Sequence, residues 1–168
     1  MQELELVRPL AEHKLLYEAM MDEWEAFGGR INPGAIRRYS SAQGKNVTYE
    51  KWLEWVKEDR EIVQDLFFLM GNGIILGAVS IRYECAGIAG HSGFGIRPSE
   101  RNKGYASQML SLALPIMKSY GINPVVLSCA RNNIGSAKTI LRNGGKFVEE
   151  VMEEETGEIM QVYHLYMV

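Results

Sequence analysis

The hydrophobic pattern of this 168-residue chain changes period near residue 64. Upstream, apolar side chains recur every three or four positions. Leu16, Met20, Trp24 and Phe27 share one stripe of "LLYEAMMDEWEAF", and Trp52, Trp55, Val56 and Val63 share one side of "TYEKWLEWVKEDREIV". That spacing predicts two amphipathic helices, with Thr48 and Lys51 a partial capping signal for the second. Downstream the pattern becomes strand-like. "DLFFLMG" and "GIILGAVSIRYE" are joined at "GNG", Gly71 to Gly73, a hairpin turn signal, and "HSGFGIRP" forms a third strand of the same meander.

The remaining elements follow from the same reasoning. "ELELV", Glu3 to Val7, alternates and predicts a short edge strand ended by Pro9. "GGRINPG" breaks the first helix, and residues 35–47 predict a loop or short helical turns. Ala106, Met109, Leu110, Ala113, Leu114 and Met117 define one face of a third helix, whose last turn Pro115 should kink or loosen. "GINPVVLSCA" is a buried strand, "NNIGSAKTILRNGG" a shorter helix stopped by Gly144 and Gly145, and the C-terminal segment a hairpin turned at "ETGE". The predicted order is β-α-α-β-β-β-α-β-α-β-β, an α+β (mixed α/β) arrangement. No linker or repeat divides it, so residues 1–168 are expected to form a single domain.

Composition narrows the function classes. Lys plus Arg is 18 against 21 Asp plus Glu, a net charge of −3, which argues against nonspecific nucleic-acid binding. Cys85 and Cys129 have no partner at metal-ligand or C-x-x-C spacing, so no metal site is expected and two free thiols suit a reducing compartment. "MQELELVRPL" has no signal-peptide core and no apolar run approaches membrane-spanning length, so a cytoplasmic location and no membrane partner are expected. Without such a signal, the sequon "NVT" at Asn46 to Thr48 is expected to be chance.

The segment "IRPSERNKGYASQML", residues 96–110, carries the chemistry. It runs from strand to helix and puts Gly104 at the helix start. A helix N-terminus exposes unpaired N–H groups and a partial positive charge. Glycine there lets phosphates approach the backbone, Ser107 adds a hydroxyl, and Arg101 and Lys103 add positive charge. The pattern is neither G-x-x-x-x-G-K-[ST] nor G-x-G-x-x-G. It is R-x-x-G-x-A, Arg101 to Ala106, and with it the sequence resembles the GNAT superfamily of acyl-CoA N-acyltransferases. "NIGSAKTILRNGG", with Asn133, Ser136 and Gly144, resembles that family's next helix, and the element order matches across essentially the whole chain.

The resemblance implies a central, twisted, mostly antiparallel sheet of about seven strands flanked by the predicted helices. It implies acetyl-CoA as cofactor, with backbone groups of Phe94, Gly95 and Ile96 pairing with the pantetheine arm. Backbone amides of Asn102, Lys103, Gly104, Tyr105, Ala106 and Ser107 would hold the pyrophosphate beside Arg101. Asn133 and Ser136 would lie along the arm and thiol end. The expected activity is acetyl transfer to a primary amine by direct attack in a ternary complex. An acyl-CoA-binding regulatory module is the alternative, because the position that usually supplies a tyrosine acid holds Ile140.

Amine acylation needs a base and an acid. His91 is a candidate base with a suitable unperturbed pKa, or a strand-start histidine engaged only in hydrogen bonding. Tyr163 and Tyr166 on the last strand are candidate acids. Ser128 stands where some family members carry glutamate, and Glu84 is a weaker candidate. Cys129 is either an acyl-carrying nucleophile or, as expected of a thiol on an apolar strand, inert core. Trp52 and Trp55 are core residues or walls of an acceptor pocket. The acidic run "EEVMEEETGE" is a solvated hairpin or an attractor for a cationic amine. The acceptor is expected to be a small-molecule or peptide amine, its specificity built partly by Gly28 to Lys45, and a homodimer is compatible with the family.

Overall fold

The computed structural model describes residues 3–168. Strand β1 (Glu5–Val7) precedes helix α1 (Lys14–Phe27), a short hairpin of β2 (Tyr39–Ser40) and β3 (Lys45–Asn46), and helix α2 (Tyr49–Ile62). The meander follows as β4 (Gln64–Gly71), β5 (Ile74–Arg82) and β6 (Ser92–Ile96). Helix α3 (Tyr105–Ser119), β7 (Val125–Ala130), α4 (Ile134–Arg142), β8 (Lys146–Met152) and β9 (Ile159–Leu165) complete the chain. The long elements keep the predicted order. The β2–β3 hairpin is an addition, within a stretch that predicted only loop and short helical turns. Its ladder is continued by the Val47 amide donating to the Arg38 carbonyl at 2.8 Å.

Local chemistry explains the boundaries. Thr48 caps α2 by accepting from the Lys51 amide at 3.2 Å. Asn72 and Gly73 both have positive φ, 52° and 74°, as a two-residue hairpin turn requires. Two stripe residues at helix ends are not core: Phe27 is 66 % and Val63 48 % exposed. Tyr17 and Tyr49 are buried in their stead, because their hydroxyls donate to the Ile36 and Leu10 carbonyls, each at 2.6 Å. Pro115 does not end α3, which runs on to Ser119.

Helices α1 and α2 cover one face of the sheet and α3 and α4 the other. Strand alternation divides the core between them: Leu66 and Phe68 pack with Tyr17, Trp24 and Trp52, while Phe67 and Leu69 pack with Met109, Leu110 and Ile140. Each fully buried side chain of this size stabilises the fold by about 1.5–3 kcal/mol.

Two sheets make up the central layer, an antiparallel β1-β4-β5-β6 and an antiparallel β7-β9-β8. They meet at one point. The His91 amide donates to the Val126 carbonyl at 2.8 Å, and the Val126 amide donates to His91 Nδ1 at 2.9 Å. Gly90 permits this approach: its φ is +68°, and a Cβ there would overlap the Val126 carbonyl. Past that junction, no ladder joins β6 to β7 among the described residues.

Candidate active site

Register defines which backbone groups the split exposes. The Arg97 amide donates to Leu76 at 2.9 Å and the Arg82 amide to His91 at 2.7 Å, so the odd-numbered residues of β6 bond to β5. Antiparallel alternation then turns the backbone groups of Ser92, Phe94 and Ile96 toward β7. On β7 the Arg131 amide bonds to Ile159, and Val126 faces His91, so Ser128 and Ala130 face β6. Two strand edges therefore confront each other across a cleft of about 940 Å³. Gly95 differs from its expected role. Its backbone lies in the ladder opposite Ala78, and its missing Cβ makes room for the Asn32 carbonyl on the sheet face.

The cleft leads to the start of α3. Gly104 is the N-cap residue at φ +84°, and no side chain caps the helix. Asn102 is also left-handed, at φ 62°. These turns present the first backbone amides of α3 outward. Asn102, Gly104, Tyr105, Ala106 and Ser107 all line the cleft. The two cations beside them are engaged within the protein. Lys103 lies outside the lining and pairs with Glu100 at 3.0 Å. Arg101 lines the cleft but donates from Nε to the Ile96 carbonyl at 2.9 Å and stacks over Trp24 and Phe27, 5.6 and 5.2 Å from the ring centroids. It braces the cradle against α1. The same end is tied to α1 by Arg97, which is 8 % exposed and bonds Glu23 at 3.1 Å, while Ser99 Oγ donates to Glu23 at 2.7 Å.

Asn133 and Ser136 line the opposite wall. Asn133 caps α4, its side-chain oxygen accepting from the Ser136 amide at 3.2 Å. Ile140, one helical turn on, is fully buried in the core.

None of His91, Tyr163 and Tyr166 lines the cleft. His91 Nδ1 is occupied by the Val126 amide, and burial, with the charge of Arg82, pushes its pKa below the usual value. Tyr163 is 3 % exposed, donates to Gln161 at 3.0 Å and is raised in pKa by burial. Tyr166 is exposed beyond the end of β9. Cys129 does reach the lining, but burial raises its thiol pKa, which disfavours the thiolate. Trp52 is fully buried, stacked on Tyr17 at 4.3 Å, and donates to the Ala35 carbonyl at 2.9 Å. Neither Trp52 nor Trp55 lines the cleft, nor does Glu84.

Other residues do. Arg30, Asn32, Pro33, Gly34 and Arg37 come from the glycine-containing stretch after α1, Arg82 from the end of β5, and Glu153 and Met160 from the closing hairpin. Of the acidic run only Glu153 faces the cleft. The Ser92 hydroxyl and Trp24 Nε1 are buried at its wall with no hydrogen-bond partner among the described residues. Buried donors of this kind cost free energy unless something accepts from them, which fits a wall built for a polar ligand. Trp24 had a sequence signal as part of the α1 stripe; Ser92 and Arg82 had none.

A split sheet whose open edges run to an uncapped, glycine-started helix defines the class: an acyl-CoA transferase fold. The acetyltransferase (GNAT) domain model matches residues 6–146, and the chain belongs to that family of acetyl-CoA-dependent N-acetyltransferases. No curated protein sequence shows a significant match. Among solved structures, the microcin C7 self-immunity acetyltransferase MccE, in complex with acetyl-CoA and AMP, is 17 % identical with a TM-score of 0.73, over 98 % of this chain and 93 % of that one. A Salmonella typhimurium acetyltransferase that modifies the N-terminal serine of 50S ribosomal subunit protein L7/L12 is 16 % identical, TM-score 0.71, over 98 % and 95 %. RimL, the ribosomal L7/L12 alpha-N-protein acetyltransferase in complex with coenzyme A, is 16 % identical, TM-score 0.72, over 98 % and 94 %. At these identities the likeness is one of fold. No helix among the described residues is long and apolar enough to cross a membrane.

Proposed function

We propose that acetyl-CoA lies along the open edges of β6 and β7 and that its acetyl group passes directly to a primary amine held between the stretch after α1 and the β8–β9 hairpin. The observation that carries this reading is the pair of facing strand edges, Ser92, Phe94 and Ile96 against Ser128 and Ala130, ending at the amides of α3. Two amides of a pantetheine arm satisfy such edges as an added strand does. Bound there, acetyl-CoA supplies the thioester, its C–S bond breaking as the C–N bond to the amine forms.

The chain's own groups do the rest. The amides from Asn102 to Ser107 hold the pyrophosphate, Gly104 giving it access. The N-terminus of α4, ordered by Asn133, places partial positive charge near the thiol end and favours its departure as thiolate. Glu100 and Glu153 are the carboxylates of the lining, and Glu100 is paired with Lys103. Glu153 therefore takes the ammonium proton, directly or through water. Its second oxygen already accepts from the Thr156 hydroxyl at 3.1 Å, which orients the carboxyl group. The buried Cys129 thiol supports transfer without an acyl-enzyme, His91 serves as the clasp between sheets, and the two unpaired cysteines support a cytoplasmic location.

Calorimetry with acetyl-CoA tests the cofactor site. Wild-type protein should bind and Gly104→Trp should not; equal affinity in both removes the phosphate cradle from this position.

A further inference from the structure

Four of the ten arginines hold a carboxylate at hydrogen-bonding distance. Arg8, Arg38, Arg97 and Arg131, none of which lines the cleft, hold carboxylates at 2.8, 2.6, 3.1 and 2.7 Å. Arg60, Arg101 and Arg142 form no ion pair among the described residues, and of the cleft arginines nearer the acceptor side only Arg30 has one. Arg82 and Arg37 form no ion pair among the described residues, and Arg30 reaches Glu158 only at 3.7 Å, beyond hydrogen-bonding distance. Arg82 is the most constrained. Its Nε and Nη2 donate to the Gly90 and Ala89 carbonyls at 2.9 and 2.7 Å, which fixes the guanidinium against the cleft wall and leaves Nη1 without an acceptor among the described residues. Arg37 Nε is similarly held by the Ile31 carbonyl at 3.0 Å.

The phosphates of the cofactor do not account for Arg82. Arg82 is paired with His91 at the closed end of the split. The phosphate cradle begins after Ile96, five residues further along β6, which is about 17 Å for an extended strand. Positive charge at the closed end therefore belongs to whatever enters from the acceptor side. A half-buried guanidinium with no counter-ion is costly, and a carboxylate or phosphate meets it with charge-assisted, often paired hydrogen bonds. Burial also pushes the Arg82 pKa downward, as expected of a cation lacking its anion. Glu153 lines the same cleft, toward the far end of β7.

We propose that the acceptor is an amine that also carries an anionic group, a carboxylate or a phosphate, and that Arg82, with Arg37 and Arg30, receives that group. This rests on the acetyltransferase reading above and narrows its substrate class. It assigns the arginines to orientation: the anion anchors the acceptor, and the amine is left to meet the thioester.

The test is CoA release over matched pairs: α-amino acids against their methyl amides, and amino-alcohol phosphates against the parent amino alcohols. The anionic member of at least one series should be favoured about tenfold or more in kcat/KM, and the series that responds distinguishes carboxylate from phosphate. Arg37→Gln should shrink that ratio severalfold. It serves beside Arg82→Gln, because the latter also frees the Ala89 and Gly90 carbonyls and risks the turn they form. A second readout needs no turnover: the anionic amines should protect Arg82 and Arg37 from phenylglyoxal, read by mass spectrometry, where neutral partners do not. Acetyl-CoA binding with neutral amines preferred, or equal protection by both members, overturns the anion site and leaves the acetyltransferase reading intact. Failure of acetyl-CoA to bind overturns that reading, and the protection experiment still decides the anion site.

Discussion

His91 Nδ1 accepts the Val126 amide hydrogen at 2.9 Å while the His91 amide donates to the Val126 carbonyl at 2.8 Å. This reciprocal pair is the point at which the two sheets are one; past it β6 and β7 part. A side chain thus completes what a backbone ladder would otherwise do, and it does so only while Nδ1 is unprotonated.

Stability should therefore depend on pH in a defined direction. Burial first, and then the nearby Arg82 charge, holds the folded-state pKa of His91 below its ordinary value of 6.5. The unfolded chain binds the proton more readily, so the stabilisation is complete above about pH 6.5 and is lost as pH falls from there through the folded-state value. Denaturant midpoints across that range should decline in the wild type. His91→Asn, whose amide oxygen can take the place of Nδ1 but does not titrate, should show a shallower decline. His91→Ala should lose about 1–3 kcal/mol at neutral pH, because the Val126 amide is left without its acceptor.

The long elements were legible because each rests on local chemistry: the helical stripes, the Asn72–Gly73 turn, the Thr48 cap and Gly104 at the start of α3. The cradle was legible for the same reason, since a helix start and its glycine are neighbours in sequence. The rest of the cleft was legible only as a stretch, Gly28 to Lys45, from which Arg30, Asn32, Pro33, Gly34 and Arg37 reach the lining. Arg82 was not, because residues 89 and 90 fix its guanidinium beside a gap between two strands, nor was Ser92, whose hydroxyl lacks a partner there among the described residues; periodicity encodes neither. The catalytic candidates show the converse. His91 and Tyr163 are the right residue types on the right strands, but one faces the seam and the other the core, and side-chain direction depends on a register that the sequence does not display.

Gly104 is required twice over. At φ +84° an L-residue is strained, so Gly104→Ala should cost about 1 kcal/mol in stability even though a Cβ there meets nothing closer than Gln108 Nε2 at 3.9 Å. The space is open on the protein side, so the larger effect belongs to the ligand. Acetyl-CoA affinity should fall with Gly104→Ala and vanish with Gly104→Trp, while thermal melting shows both variants folded.

Gly95→Ala separates the two halves of the cleft. The new methyl group would overlap the Asn32 carbonyl and press on Trp24, displacing the stretch that brings Arg30 and Arg37 to the acceptor side. Overpacking of this kind costs about 1–3 kcal/mol. The expected kinetic result is a rise of about tenfold in KM for the amine. The change in acetyl-CoA affinity should be smaller, because the Gly95 backbone lies in the β5 ladder and not at the open edge.

The tyrosines and Glu153 make opposing predictions about proton transfer. Tyr163→Phe removes a hydroxyl whose partner is Gln161, within the same strand, and should cost at most about 1 kcal/mol in stability. Tyr166→Phe alters an exposed side chain beyond β9 and should cost nothing measurable. Neither faces the cleft, so kcat should stay near the wild-type value and the pH–rate profile should keep its shape. Glu153→Gln keeps the size and the contact with Thr156 but removes the base. Its kcat/KM should fall by about a hundredfold. A tyrosine variant that reproduced this loss, with Glu153→Gln active, would return the proton transfer to β9 and require the closing hairpin to turn inward when the cofactor binds.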